Sequence, residues 1–249
     1  MSGTDIAVET SGEILARARD QVERQIEAFV RRLPGTVEGL RVRLTTFRQN
    51  STPRPALAQI NLTLDGRALR AQVAAPFFPE AATLLRARLC QHQARLDDPS
   101  TPRPWPDAYR QSHPAPLCTV SPARRKIVRR KQFPLQTATP DEAALAMDVR
   151  DYDFHLFVDA ETGQDSLVYR IGPTGYRLAR LSGLQPPQGA ALPWTINVHG
   201  VPELTPEQAA ERLDDTEMPH RFFQDTATGR GSVLYLRYDG HYGLLTAAG

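Results

Sequence analysis

Arginine is the residue type whose spacing in this chain most clearly indicates a binding chemistry. Arg17, Arg24 and Arg31 are seven residues apart, and so are Arg88 and Arg95. Side chains seven residues apart lie on one face of a helix, and a guanidinium can hold a phosphate through two parallel hydrogen bonds. These rows therefore predict a surface for RNA phosphates. A solvated helix face has the same pattern, so each row alone also fits that simpler interpretation.

The distribution of net charge along the chain also indicates an anionic partner. Residues 1–96 carry a net charge of +5, residues 97–131 again +5, and residues 132–249 carry −8. A basic N-terminal part, residues 1–131, and an acidic C-terminal part, residues 132–249, predict that only the N-terminal part binds a polyanionic partner. An arginine-rich composition also follows from a GC-rich genome, which is the alternative cause. The candidate RNA-binding residues, including three on predicted strands, are Arg17, Arg24, Arg31, Arg41, Arg43, Arg70, Arg88 and Arg95.

Residues 1–96 are predicted to form a β-α-β-β-β-α domain that positions these arginines. Apolar residues recur every three or four positions in the two helices and alternate in the strands. Asp65-Gly66 is a hairpin turn signal between the third and fourth strands. Both helices should then pack on one face of a four-stranded sheet. The predicted elements are strand 5–9, helix 12–33, strands 40–48, 56–64 and 67–74, and helix 80–96.

The second half of the chain contains an internal repeat. Residues 154–181 align without a gap to residues 220–247, at a spacing of 66 residues. Matching residues include Phe157 with Phe223, Asp159 with Asp225, and Tyr169 with Tyr235. Such a repeat indicates a duplicated small domain. We predict an α+β protein with a Pro-rich basic linker at 97–125 and two β-α-β-β-β domains at 126–183 and 192–249.

The first repeat resembles a known family. Residues 126–181, KIVRRKQFPLQTATPDEAALAMDVRDYDFHLFVDAETGQDSLVYRIGPTGYRLARL, are similar to the C-terminal domain of long-form bacterial ribosome hibernation promoting factors. The resemblance implies a cytoplasmic, ribosome-binding translation inhibitor, active in stress or dormancy, with no cofactor. Its implied partner is 16S rRNA of the small subunit, in the channel where messenger and transfer RNA would sit. It also implies that Arg88 and Arg95 occupy positions where the family carries basic residues.

The tandem repeat departs from ordinary long forms, which carry one such domain and use it to join two ribosomes. It resembles the actinobacterial dormancy-associated variant, which is induced by low oxygen. Each unit of about 55 residues would bury little core alone, so we predict that the two copies pair within one chain as a monomer. The residues predicted to pair are Phe154, Leu156, Phe157, Phe222, Phe223 and Val233. The alternatives are a swapped dimer and a protein-interaction module that pairs ribosomes or binds another protein.

Other functions find little support in the sequence. The six histidines are scattered, and the two cysteines have no partner at metal-ligand spacing. Motifs of hydrolases and of phosphate-binding loops do not occur. We therefore expect neither an enzyme nor a metal site. The N-terminal residues lack the pattern of a signal peptide, and a cytoplasmic location is expected.

Overall fold

The computed structural model describes residues 6–47, 54–100, 120–170, 175–216 and 218–248. Most of the predicted linker, residues 101–119, therefore lies outside the described residues. The chain divides into two compact units. Unit 1 contains the described residues up to Pro99 together with the segment Asp148–Tyr152 of the first repeat, and unit 2 contains the rest of the two repeats. The last two residues of the helix Pro140–Val149 therefore belong to unit 1.

Unit 1 has the predicted β-α-β-β-β-α order. Its four-stranded sheet has the strand order β1-β2-β3-β4, in which β1 is parallel to β2 and the other pairs are antiparallel. Helix α1 begins four residues later than predicted: Gly12 has φ +83°, outside the helical region, and the N-cap residue Leu15 is extended, with φ −63° and ψ 133°. The elements are β1 (Ala7–Ser11), α1 (Ala16–Val30), β2 (Val37–Thr46), β3 (Ala56–Leu64), β4 (Arg67–Ala75) and α2 (Phe78–Asp97).

Both helices of unit 1 pack on one face of the sheet, as predicted. Val22 and Ile26 of α1 and Leu85 of α2 are fully buried in one cluster with Val42 and Ile60 of the sheet. The spacing of Val22 and Ile26, one helical turn, matches the periodicity seen in the sequence. The face of α1 that points away from the sheet and the outer face of β2 carry exposed polar and charged side chains.

Unit 2 contains two five-stranded sheets whose first strands are exchanged between the repeats. The strand that precedes the first repeat, β5, pairs in parallel with β14 of the second. The strand that precedes the second repeat, β10, pairs in parallel with β9 of the first. Each repeat's sheet is therefore completed by a segment from the other. The elements are β5 (Ile127–Phe133), β6 (Thr137–Ala138), α3 (Pro140–Val149), β7 (Phe154–Asp159), β8 (Asp165–Tyr169), β9 (Tyr176–Arg180), β10 (Trp194–Ile196), β11 (Glu203–Leu204), α4 (Pro206–Asp214), β12 (His220–Asp225), β13 (Gly231–Leu236) and β14 (Tyr242–Ala247).

The helices of the two repeats begin with the same N-terminal capping motif. The Thr139 hydroxyl accepts a hydrogen bond from the Glu142 backbone N–H (3.3 Å), and the Glu142 carboxylate accepts one from the Thr139 backbone N–H (2.8 Å). Thr205 and Gln208 form the same reciprocal capping box at the start of α4. The structure thus confirms that Thr139 caps α3, as its position before Pro140 predicts.

Candidate nucleic-acid interface and repeat interface

The arginines of α1 form an exposed row. Arg17, Arg24 and Arg31 are all exposed, on the side of the helix opposite the buried Val22 and Ile26. Arg31 lies 3.6 Å from the Glu27 carboxylate, and both side chains are in solvent. An exposed pair of this kind contributes little to stability, so the row remains available to an anionic partner.

A shallow groove adjoins this row on unit 1. Its volume is about 240 Å³, and its lining residues are Gln21, Arg24, Gln25, Ala28, Phe29, Arg32 and Arg86. The Arg86 guanidinium lies over the Phe29 ring, 5.8 Å from its centroid. Within the described part of the chain, Arg24, Arg32 and Arg86 form no ion pair. Arg32 and Arg86 were missed by sequence reasoning, because only the packing of α1 against α2 brings them together.

Arg41 and Arg43, on the outer side of β2, share one acidic neighbour. Glu9 lies opposite Arg43 in the parallel β1–β2 pair. Its carboxylate is 2.6 Å from Arg43 and 3.9 Å from Arg41. The hydrogen bond from Arg43 lowers the pKa of Glu9, with a further contribution from the charge of Arg43. These two arginines therefore present less positive charge than their number suggests.

Arg88 and Arg95 lie in a different environment from the one expected of a basic surface. They are only 4% and 8% exposed. Arg95 Nε donates a hydrogen bond of 3.0 Å to Asp148 Oδ2, and Arg88 Nε lies 3.5 Å from Asp151 Oδ1. The expectation that α2 presents them to solvent is corrected: carboxylates from a distant part of the chain cover them.

Arg70 is in contact with the same acidic segment. Its Nη1 donates to the backbone carbonyl oxygens of Arg150 (3.3 Å) and Asp151 (3.2 Å). Its guanidinium lies over the Tyr152 ring at 5.3 Å from the centroid. Three of the eight candidate arginines are thus held by the segment Asp148–Tyr152, and the other five lie apart from it.

In unit 2, the two repeats share an apolar interface in addition to their own cores. The shared cluster contains Leu156, Leu167, Tyr169 and Ala179 of the first repeat with Phe222 and Val233 of the second. Leu156 and Phe222 are equivalent positions, as are Leu167 and Val233, because each pair is separated by the 66-residue repeat. Equivalent residues of the two repeats thus lie in one shared cluster, which indicates a pseudo-twofold arrangement, as in a symmetric dimer.

The aromatic residues predicted to pair are divided between two roles. Phe154 packs against the shared cluster and its ring lies 4.9 Å from that of His220, the equivalent residue. Phe157 and Phe223, in contrast, are buried in the separate cores of the first and second repeat. Their predicted role in pairing is corrected, because successive residues of a strand face opposite sides of the sheet.

A polar contact makes the repeat interface asymmetric. The Asp165 carboxylate accepts hydrogen bonds from Arg230 Nε (2.8 Å), Arg230 Nη2 (3.0 Å) and the Gly231 backbone N–H (2.7 Å). Asp165 and Gly231 are equivalent positions, and Gln164 stands where the second repeat has Arg230. If two copies of the first repeat paired with each other, two Asp165 carboxylates would face one another, which is unfavourable. The contact therefore forms only when a first repeat pairs with a second repeat.

We expect Gly231→Ala to destabilise unit 2. A Cβ at Gly231 would lie 2.7 Å from the Asp165 Cβ and 3.0 Å from the Phe222 ring. Overpacking of this kind costs about 1–3 kcal/mol. Gly200→Ala is the matched control, because a Cβ there meets nothing within 4 Å. Thermal unfolding of both variants is the measurement. Equal melting temperatures for the two would contradict the close approach of the repeats at Gly231.

We also expect acid to weaken the repeat interface through His220. Burial lowers the pKa of His220 from 6.5 to about 4; the nearby Asp153 opposes this shift and Arg221 adds to it. The unfolded chain binds a proton between pH 6.5 and 4 and the folded chain does not. The free energy of unfolding should therefore fall by about 3 kcal/mol as the pH falls through this window.

The variant His220→Phe, which copies the equivalent Phe154, should lose this part of the pH dependence in denaturant unfolding. His199→Gln, at an exposed histidine, serves as the control and should keep it. If both variants and the unsubstituted chain show the same pH profile, His220 is not the group responsible.

In the described ranges, no three His, Cys, Asp or Glu side chains are grouped so as to hold a metal ion. The described helices include none that is long and apolar enough to cross a membrane.

The comparisons with known proteins agree with the repeat and extend beyond it. Residues 122–178 and 197–244 each match the family model described as Sigma 54 modulation/S30EA ribosomal protein C terminus. The chain is 41% identical over 255 aligned positions to a dormancy associated translation inhibitor of Mycobacterium tuberculosis, covering 98% of this chain and 89% of the relative.

Two partial matches concern single domains. A ribosome hibernation promotion factor of Staphylococcus aureus is 39% identical over 57 residues, which is 23% of this chain and 30% of that protein. The solved N-terminal domain of Protein Y from Thermus thermophilus is 22% identical and covers 37% of this chain and 99% of that structure, with a TM-score of 0.30.

Proposed function

The chain belongs to the ribosome hibernation factor family that includes the dormancy associated translation inhibitors, and we propose that it inhibits translation by binding the small ribosomal subunit. The observation that carries this proposal is the 41% identity to such an inhibitor along nearly the whole of both chains. The site proposed on the ribosome is the channel where messenger and transfer RNA would sit. There the protein inhibits translation by blocking the channel. It needs no catalysis and no cofactor, and it acts in the cytoplasm.

The partner within the small subunit is proposed to be 16S rRNA. The support is the exposed row of Arg17, Arg24 and Arg31 with the adjoining groove of Arg24, Arg32 and Arg86. Arg24, Arg32 and Arg86 form no ion pair within the described part of the chain, and the Arg31–Glu27 pair is exposed and therefore weak. Little internal interaction has to be broken before these guanidinium groups bind phosphates. Binding through phosphates depends on shape and charge, not on base sequence.

The tandem repeats are proposed to hold single ribosomes inactive without joining them. The exchanged strands β5 and β10 and the Asp165–Arg230 contact occupy the pairing surface of each repeat within one chain. A connection as short as residues 182–191 gives an effective concentration in about the millimolar range. Pairing inside the chain then prevails over pairing between chains, and the protein is a monomer.

Cosedimentation and cell-free translation test the proposed function together. At low salt the protein should sediment with small subunits and with whole ribosomes, and it should reduce protein synthesis at stoichiometric amounts. Raised salt should release it, because phosphate contacts displace counterions. A protein that stays in the supernatant at low salt, or that binds without reducing synthesis, would contradict the proposal.

A further inference from the structure

Unit 1 holds an acidic segment on its own arginines. Asp148 and Asp151 are each only 1% exposed. Asp148 accepts the 3.0 Å hydrogen bond from Arg95, and Asp151 lies 3.5 Å from Arg88. Two carboxylates therefore occupy the guanidinium groups of two α2 residues in the free protein.

Further contacts hold the segment in place. Asp151 Oδ2 accepts a hydrogen bond of 3.0 Å from the Gln72 backbone N–H. Asp151 has φ +52°, a left-handed conformation that is costly for a residue other than glycine. Arg70 binds the carbonyl oxygens of Arg150 and Asp151 and lies over Tyr152. A strained residue kept in this position by several contacts points to a role beyond a connecting turn.

We infer that the segment Asp148–Tyr152 is a built-in competitor for RNA, which occupies Arg70, Arg88 and Arg95 until rRNA phosphates replace it. This inference rests on the proposed function. The N–H groups that donate to Asp148 and to the carbonyl oxygens cannot donate to a phosphate at the same time. The free protein therefore binds RNA with its exposed α1 arginines first, and the covered arginines join when the segment leaves.

The charges explain why the segment would stay in place without RNA. Departure of the segment breaks the Arg95–Asp148 hydrogen bond and the Arg88–Asp151 ion pair, both of which are shielded from water. Hydrogen bonds between charged groups are stronger than neutral ones, so the segment stays in place unless another anion replaces its carboxylates. A phosphate is such an anion, and it accepts the same hydrogen bonds. Departure of the segment is therefore coupled to RNA binding.

The double variant Asp148→Asn/Asp151→Asn in the full chain tests the inference. It keeps the shape of both side chains and removes their charge. Its affinity for purified small ribosomal subunits at low salt should rise by about tenfold, because RNA phosphates displace an uncharged segment from Arg88 and Arg95 more easily than a charged one. The control, Glu211→Gln/Asp215→Asn, removes the same charge from exposed residues of α4 and its end and should change the affinity far less. Equal or weaker binding by the first variant than by the control overturns the inference.

Hydrogen–deuterium exchange of the unsubstituted chain is a second test, which does not depend on whether the variant folds. Backbone amides of residues 148–152 should exchange hydrogen for deuterium faster in the complex with small subunits than in the free protein. Unchanged or slower exchange there overturns the inference while leaving the proposed function intact. Absence of any binding by the unsubstituted chain at low salt is the separate result that overturns the proposed function itself.

Discussion

Replacing Arg17, Arg24 and Arg31 by alanine is expected to weaken the binding of small ribosomal subunits by about 10- to 100-fold at moderate salt. Each guanidinium that contacts a phosphate releases counterions, so the loss of three contacts should also lower the salt dependence of binding by about two to three in the slope of log K against log salt. All three side chains are exposed, and none is part of the hydrophobic core. Folding should therefore be unaffected, and the change can be attributed to binding.

A control with the same loss of charge makes this prediction specific. Arg212 and Gln188 are exposed residues of unit 2 outside the basic segment 97–131, and the double variant Arg212→Glu/Gln188→Glu lowers the net charge by the same amount. Binding should be measured by cosedimentation of both variants over a range of salt concentrations. If the two variants lose affinity to the same extent, net charge explains the effect and the α1 row is not the contact surface.

The order of elements could be predicted from the sequence because it depends on local signals. The periodicity of Val22 and Ile26, the Asp65-Gly66 turn and the Thr139 cap are each visible within a few residues. The duplication was visible as well, because equivalent residues recur at a constant spacing. These signals were sufficient for the fold class, the four-stranded sheet and the two helices on one face of it.

The exchange of β5 and β10 between the repeats left no such signal. A short strand has the same pattern of residues whichever sheet it joins, and parallel pairing with β14 or β9 is decided by contacts distant in sequence. The burial of Arg95 was missed for the same reason, since its partner Asp148 lies 53 residues later. Patterns of a single helix cannot show which distant carboxylates approach it.

The second large effect concerns assembly. We expect the purified protein to be a monomer in light scattering at micromolar concentrations. Pairing of the repeats already covers Leu156, Leu167, Phe222 and Val233 inside unit 2. The Asp165–Arg230 contact cannot be reproduced between two first repeats. A second chain would therefore find no uncovered copy of this surface. A mass of two chains would show that the repeats pair between molecules.

Sedimentation of ribosomes saturated with the protein tests the central claim most directly. In a sucrose gradient, the protein should migrate with single ribosomes, and translation by those fractions should be inhibited. The distribution of ribosomes should be the same with and without the protein. A peak of paired ribosomes that appears only with the protein would contradict the account, because it would require a repeat surface free to bind a second chain.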